Sequence, residues 1–485
     1  MRGLHWFRND LRLDDNRSLS ALAERVEAWL PVFVFDPVLL ERSPADRPRT
    51  RFLLDCLESL RSDLEARGVP LQIRAGRPEI VLPQLAREAK ASLVSWNAAP
   101  TPLGERRDAR VEAALRRVGA ESLALRDHTV FGPDEIRTRT GGRYVVYTPY
   151  RNAWWEAWER GPRGASGRSR LPAQVIPGFE PAPSLAEPGA AERAMKGSGA
   201  QAPEARSAPG NAASLPHGGE KAARRRLSSF LSEAVADYAE LRDRPDRDGT
   251  SRLSPHLRFG TISVRRCFSE ALSAAKAEPR AKAGIRKWLD ELVWREFYHA
   301  VLAHSPHVLT RSFRPEYDGL AWRDDAEGFE AWKEGRTGYP FVDAGMRQLR
   351  ATGWMHNRAR MVVASFLTKD LLIDWRRGER YFFDALVDGD PASNNGGWQW
   401  SASTGTDAQP YFRIFNPVSQ GERFDPEGSY VRRWVPELRD LPAKQIHSPW
   451  LAGEPPRGYP LPIVDHGFAR KRALAAFKVA SASKA

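Results

Sequence analysis

Asp388 and Asp390, followed by Asn394, Asn395, Gly396, Gly397, Trp398 and Trp400, gather carboxylates, amides, glycines and indoles into one short run. Amides and carboxylates hydrogen-bond the edge of a heteroaromatic ring, indoles stack on its face, and glycines let a backbone come close to it. Taken singly, a Gly-Asn turn and core tryptophans account for each residue. Taken together, too many polar groups converge, because buried amides and carboxylates need partners. Two helical patterns precede the run. The first follows Pro340 and stops at Gly353, since proline suits a first turn and glycine a helix end. The second starts near His356 and buries Val362, Val363, Phe366 and Leu367, while its other face carries Trp354, Asn357, Arg358 and Met361. A plain core stripe would be apolar throughout; this one sets an amide and a guanidinium between an indole and a thioether.

Two further stretches could do chemistry. In GTSRLSPHLRFG, Thr250, Ser251, Arg252 and Ser254 meet at a helix start, where hydroxyls, free amides and an arginine bind phosphate. An ordinary serine cap accounts for the same residues. In WLDELVWREFY, Glu291, Trp294 and Arg295 share one helical face. The pattern reads either as an exposed Glu–Arg pair or as an acid and an indole that read and stack on a base.

The elements that must position these residues fall into two halves. Residues 1 to about 130 alternate short apolar runs (LHWF, LPVFVFD, LQIRA, SLVSWN, SLALRD) with amphipathic helices, which predicts a doubly wound, five-stranded parallel α/β sheet. Ligands of such sheets sit beyond the carboxyl ends of the strands. No G-x-G-x-x-G follows the first strand, so the usual dinucleotide fingerprint is absent. The charges of WFRNDLR and Asp14-Asp15-Asn16 instead read as a structural ion-pair network. From 161 to 225 the chain is rich in Pro, Gly, Ala and Ser, the composition of an extended interdomain linker. From 226 to 485 the pattern is almost wholly helical, so the domains are taken as 1–160, 161–225 and 226–485.

Composition narrows the classes. The net charge of +13, from 74 basic against 61 acidic residues, suits either a polyanion partner or an arginine-rich protein with none. No apolar run approaches the length of a membrane span, and MRGLHWFRNDLRLDDN lacks the apolar core of a signal peptide. The two cysteines, Cys56 and Cys267, make no metal spacing and read as small core residues of a reducing compartment, the cytoplasm. They also exclude a cluster held by four cysteines of the chain. No metal site is expected.

The motifs TGYPFVDAGMRQL, GWMHNR, DLLIDWR, DGDPASNNGGWQW and STGTDAQPYFRIFNP resemble those of the DNA photolyase/cryptochrome family, most closely the bacterial class I cyclobutane pyrimidine dimer photolyases. The resemblance runs from WFRNDLR to about Trp450 and is weakest across the linker. It implies an α/β antenna domain and an all-helical domain holding FAD, whose fully reduced, anionic form passes a light-excited electron to a flipped-out dimer. The implied partner is DNA carrying such dimers, and the expected state is a monomer.

By similarity, Tyr238 and Thr250 to Ser254 (Thr250, Ser251, Arg252, Leu253, Ser254) hold the FAD phosphates and ribityl chain, and Trp288 and Trp354 line the cofactor cavity. Arg360 and Asp388 match an ion pair over the isoalloxazine, with Asp390 nearby and Asn394 facing N5. Trp398, Trp375 and Trp322 match a relay that re-reduces the flavin, Trp322 outermost. Glu291, Asn357 and Met361 would form the lesion pocket, with Trp294 and Trp400 stacking on the dimer and Arg242, Arg358 and Gln420 touching DNA. Histidines stand at the positions of Asn357 and Met361 in photolyases of (6–4) products, so their absence points to the cyclobutane lesion. Glu105 falls roughly where folate-using relatives place a carboxylate against the pterin. The pattern around His304 to Pro315 departs from those relatives, and no lysine stands where they have one. For the antenna the resemblance implies methenyltetrahydrofolate first, a deazaflavin second, or an empty site. The rival from another class is a flavin photoreceptor of the cryptochrome type. Such proteins often carry long C-terminal extensions, whereas here the chain ends soon after a short basic helix, GFARKRALAAFKVASASKA. A light-independent flavoprotein oxidoreductase lacks any nicotinamide signal.

Overall fold

A computed structural model describes residues 1–42, 47–161, 171–185, 195, 215–453 and 456–482. Each apolar run of the first half forms a strand: β1 (Arg2–Phe7), β2 (Ala28–Phe35), β3 (Gln72–Ala75), β4 (Leu93–Asn97) and β5 (Glu121–Leu125). All pair in parallel, in the order β3-β2-β1-β4-β5. The registers Leu4↔Leu30 and Leu4↔Val94 set β1 at the centre, and β2 is buried along its whole length. Helices cover both faces, which is why these strands read as unbroken apolar runs rather than alternating ones. The strand order reverses between β1 and β4, so a crevice opens beyond their carboxyl ends.

The expected linker is partly built into this sheet. Its residues 162–170, 186–194 and 196–214 lie outside those described. Gln174–Val175 adds a short parallel strand, β6, beside Ala28 and Trp29 of β2, and the Ala182 amide donates to the Leu71 carbonyl at 2.9 Å. The helix Tyr147–Glu159, on the N-terminal side of the linker, packs with the helical half: Tyr147, Tyr150, Trp154 and Trp155 share a core with Phe230, Phe268, Trp288 and Phe297. Apolar packing follows shape, not chain order.

Helices make up the second half. Lys282–His304 is the longest, and Pro340–Thr352 ends on Gly353 at φ 65°. Asn357–Ser365 is capped by His356, whose ring nitrogen accepts from the Arg358 amide at 3.2 Å. Burial pushes that imidazole down to about 4, so it is neutral and free to accept. A π-helical turn, Phe366–Asp370, then leads to Trp375–Ala385 and Pro391–Ala402. The C-terminal helix, His466–Ala482, docks on that turn. His466 meets Asp370 at 2.6 Å and Lys369 sits 3.5 Å over the Phe477 ring. No described helix is long and apolar enough to cross a membrane.

The charges after β1 tie the halves together. Arg12 pairs with Asp127 at 2.5 Å and donates to the Gly260 carbonyl at 3.0 Å. Arg265 of the helical half pairs with Asp127 at 2.5 Å and Asp15 at 3.2 Å. Burial alone would raise the Asp127 carboxyl, but Arg12 and Arg265 outweigh it and hold it down to about 2. Gly260 (φ 62°) makes the contact close: a Cβ there would lie 2.1 Å from the Asn9 carbonyl oxygen.

Candidate functional site

A cavity of ≈ 490 Å³ opens in the helical half, within the range that encloses a cofactor-sized ligand. Six segments wall it: Tyr238 to Arg242, Thr250 to Arg258, the Lys282–His304 helix, Trp354 to Ala364, Phe382 to Asp390, and the Pro391–Ala402 helix. They bring together Tyr238, Arg242, Trp288, Glu291, Trp294, Asn357, Arg360, Met361, Asn394, Trp398 and Trp400. The structure does not bring Arg358, Gln420, Glu105, Trp322 or Trp375 to that wall.

Part of the cavity wall is charged. Arg360 donates to both carboxylate oxygens of Asp388, at 3.1 and 2.8 Å, and to the Met355 carbonyl at 2.8 Å. The Asp388 side chain is only 3 % exposed, so the carboxylate is held out of water. Asp390 caps the Pro391–Ala402 helix through the Ser393 amide at 2.9 Å. Burial works to raise its carboxyl, yet His299, Arg258 and Arg295 outweigh burial and hold it down to about 2. Both amide hydrogens of Asn394 go to Glu379, to its carbonyl at 2.9 Å and its carboxylate at 3.0 Å. Glu379 carried no signal in the sequence, because it stands on another helix and meets Asn394 only in the fold.

The two amides and two glycines of the NNGG run separate by role. Asn395 donates to the Val308 carbonyl at 2.8 Å, a structural tie. A Cβ on Gly396 would strike the Tyr298 ring at 2.2 Å, so that glycine serves helix packing. A Cβ on Gly397 would meet nothing within 4 Å and would project into the cavity that Gly397 lines. Only Asn394 and Gly397 face the ligand space. The Thr250–Ser254 turn lines the same cavity, with Arg226 donating to the Thr250 and Ser251 carbonyls at 2.7 and 2.8 Å and the Trp288 indole to the Ser251 hydroxyl at 3.2 Å.

The wall is also aromatic. Trp294 and Trp400 are half-buried, and Asn357 and Met361 line the same cavity, with the Asn357 amide 3.8 Å from the Met361 sulfur. Three sequence expectations need correction here. Glu291 pairs with Arg242 at 2.6 Å and not with Arg295. Arg295 turns to the N-terminal half, donating to the His128 carbonyl at 2.8 Å and to its ring nitrogen. Trp354 precedes its helix rather than sharing a helical face with Arg358. Arg358 itself points away, to Asp243 at 2.7 Å and over the Phe424 ring at 4.1 Å, leaving Arg360 as that helix's arginine on the wall. A two-residue step on a helix turns a side chain by about 200°, and that decides which arginine faces in.

Trp398, Trp375 and Trp322 share one apolar core, the first two 2 % and 1 % exposed and the last half-buried. Trp398 also lines the cavity. Trp322 is covered edge-on by Phe477 of the C-terminal helix, at 6.3 Å. Gly378 permits the packing around Trp398, since a Cβ there would overlap its indole at 2.2 Å.

The crevice beyond β1 and β4 is lined by Arg8, Asp10, Asn97, Arg107 and His128, and at ≈ 40 Å³ has room for little more than water. Its charges are mostly spent on one another: Arg8 pairs with Asp108 at 2.5 Å, and the Asn97 amide donates to Asp10 at 2.6 Å. Glu105 is exposed on the Pro102–Arg116 helix, outside that lining. Among the described residues, His128, His299 and Asp390 bring possible metal ligands within 4.8 Å of one another. The Arg295 guanidinium against His128 opposes a cation there.

Fold and cavity define a two-domain protein whose helical half holds a large cavity lined by both charged and aromatic side chains. Residues 3–167 match the family model for DNA photolyase, and residues 288–479 match the FAD binding domain of DNA photolyase. The chain is 43 % identical over 495 residues to a deoxyribodipyrimidine photo-lyase of Halobacterium salinarum, covering 98 % of each chain. It superposes on a bacterial class III photolyase from Agrobacterium tumefaciens with a TM-score of 0.88 at 38 % identity, covering 99 % of this chain and 98 % of that one. It also superposes on an archaeal photolyase from Sulfolobus tokodaii with two FAD molecules (TM-score 0.80, 32 % identity, 99 % of this chain and 100 % of that one). The chain belongs to the DNA photolyase family, and its helical half is an FAD-binding domain.

Proposed function

We propose that the protein is a light-driven lyase that splits cyclobutane pyrimidine dimers in DNA back to two pyrimidines. The observation that carries this is the cavity itself, whose wall holds the Arg360–Asp388 pair and Asn394 together with Trp294, Trp400, Asn357 and Met361. FAD fits this cavity. A cofactor-sized space, Gly397 bare of any Cβ neighbour and a turn of hydroxyls and amides at Thr250 to Ser254 are what a flavin dinucleotide needs. When bound and reduced, the cofactor supplies a light-excited electron that opens the cyclobutane ring and then returns.

The chain's own residues bind, orient and exclude water. Arg360 favours an anionic ring, and Asp388 is neutralised by Arg360 so that it does not oppose one. With both hydrogens committed to Glu379, Asn394 offers only its oxygen, an acceptor for an N–H at the flavin edge. Trp294 and Trp400 stack on the lesion, worth roughly 1–3 kcal/mol per base. Glu291, Asn357 and Met361 contact its polar edge. Arg242, Arg358 and Gln420 meet the DNA backbone, and the partner is dimer-containing DNA bound by one copy of the chain. Trp322, Trp375 and Trp398 carry an electron inward to restore the reduced cofactor. Residues 1–160 hold the antenna, if one is bound, and 226–485 carry the chemistry.

Reduced protein under blue light restores thymines in a dimer-containing oligonucleotide and does nothing in the dark. Bound, fully reduced FAD with no repair under light would refute the proposal.

A further inference from the structure

Tyr147 lies outside the cavity, yet its ring stacks on Trp294 with centroids 3.5 Å apart and planes at 11°. It is the closest and most nearly parallel aromatic contact that Trp294 makes: Phe297 meets it edge-on at 5.7 Å and Tyr298 tilted at 5.5 Å. The segment around Tyr147 is itself held at three points. The hydroxyl of Tyr147 donates to the Asp290 carbonyl at 2.6 Å, one turn before Trp294 on the same helix. Its amide donates to the Asp407 carboxylate at 3.1 Å, and the Thr406 hydroxyl donates to the Val145 carbonyl at 2.6 Å. Residues 406 and 407 follow the helix that carries Trp398 and Trp400. Tyr147 therefore joins the two elements that present Trp294 and Trp400, and it does so from the N-terminal side of the linker.

A half-buried indole backed on neither face is free to rotate, and a ligand stacking on it must stop that rotation. Immobilising such a side chain costs binding free energy that a rigid backing removes in advance. Tyr147 covers one face of Trp294, which lines the cavity. We propose that Tyr147 is a positioning residue for the damaged base: it holds Trp294 in the orientation that stacks on the lesion, acting through the ring face and not through the hydroxyl. The proposal rests on the lesion reading of Trp294 given above.

The test compares Tyr147→Phe, Tyr147→Leu and Trp294→Leu, each purified with FAD, by affinity for a dimer-containing oligonucleotide and for its undamaged counterpart. Tyr147→Leu is expected to weaken dimer binding by about tenfold, the loss of one stacked aromatic pair. It should leave undamaged DNA binding, FAD content and repair per bound dimer unchanged. Tyr147→Phe, which keeps the ring and loses only the hydroxyl, should bind the dimer within about twofold of the native protein. Native-like dimer binding by Tyr147→Leu, while Trp294→Leu is impaired, overturns the proposal and spares the lesion reading. Native-like binding by both removes the lesion reading and the proposal with it. Equal loss on both DNAs, or loss of FAD, marks Tyr147 as merely structural and overturns the proposal. Should Tyr147→Leu not fold, Tyr147→Phe decides, because a tenfold loss there would contradict action through the ring face.

Discussion

The flavin-sized cavity of the helical half and the crevice at the carboxyl ends of β1 and β4 are built from the same residue types. Arginines, aspartates and asparagines line both. They differ in what those groups have left to offer. In the crevice Arg8, Arg12, Asp10, Asp127 and Asn97 satisfy one another and the opposite domain, and almost no volume remains. In the cavity the ion pair and the supporting glutamate hold their groups at the wall of an open space. Paired groups that close on each other make structure; groups fixed by a second layer and left facing a void make a site.

That contrast can be broken at either end. Arg12→Met leaves Asp127 with Arg265 alone inside the interface, and breaking a buried pair costs about 3–5 kcal/mol. The thermal midpoint should fall clearly, while repair per bound flavin stays native at a temperature where the protein is folded; a loss of repair with no loss of stability would move Arg12 into the site. Arg360→Leu strands the buried Asp388 carboxylate against the flavin space and should cut bound FAD by about tenfold or more, read from the visible absorbance of the purified protein. Trp375→Phe should slow photoreduction of the oxidised protein while sparing repair by chemically reduced enzyme; equal loss of both would refute the relay.

Acid should loosen the fold in two stages. Burial holds His256, His299 and His356 at about 4, below an unfolded value near ~6.5. Stability is therefore full above the unfolded value and declines as pH falls toward the folded one. Asp425, pushed up to about 6 by burial, works in the opposite sense and blunts this first stage. Asp127 and Asp390, held at about 2, supply a second decline between the unfolded carboxylate value near ~4 and the folded one. Thermal midpoints against pH, with Asp390→Asn as the control, check both stages. The smallest effect is expected at Glu105: Glu105→Ala should leave stability and FAD content unchanged. A change in any second chromophore's absorbance would place the antenna there rather than at the crevice.

The strands were legible because a sheet covered on both faces needs unbroken apolar runs, and each run from LHWF to SLALRD is a strand. The helix from Pro340 to Gly353 was legible for a related reason, since proline and glycine mark its ends by backbone geometry. The site's residue types were also legible, because FAD chemistry needs amides, indoles and an arginine together. Facing was not. Arg358 and Arg360 are two residues apart on one helix, and only the packing of that helix decides which of them meets the cavity. The support from Glu379 and Tyr147 was invisible for another reason: neither shares a segment with the residue it positions.

By itself the sequence determined the local elements, the two-part division of the chain, and the set of residues from which the cavity would be drawn. Those follow from periodicity, backbone preference and side-chain chemistry, which act over a few residues. Only the tertiary structure decided which groups are consumed by a partner and which are left facing a space. That outcome depends on distances between segments far apart in the chain, and apolar packing sets those distances.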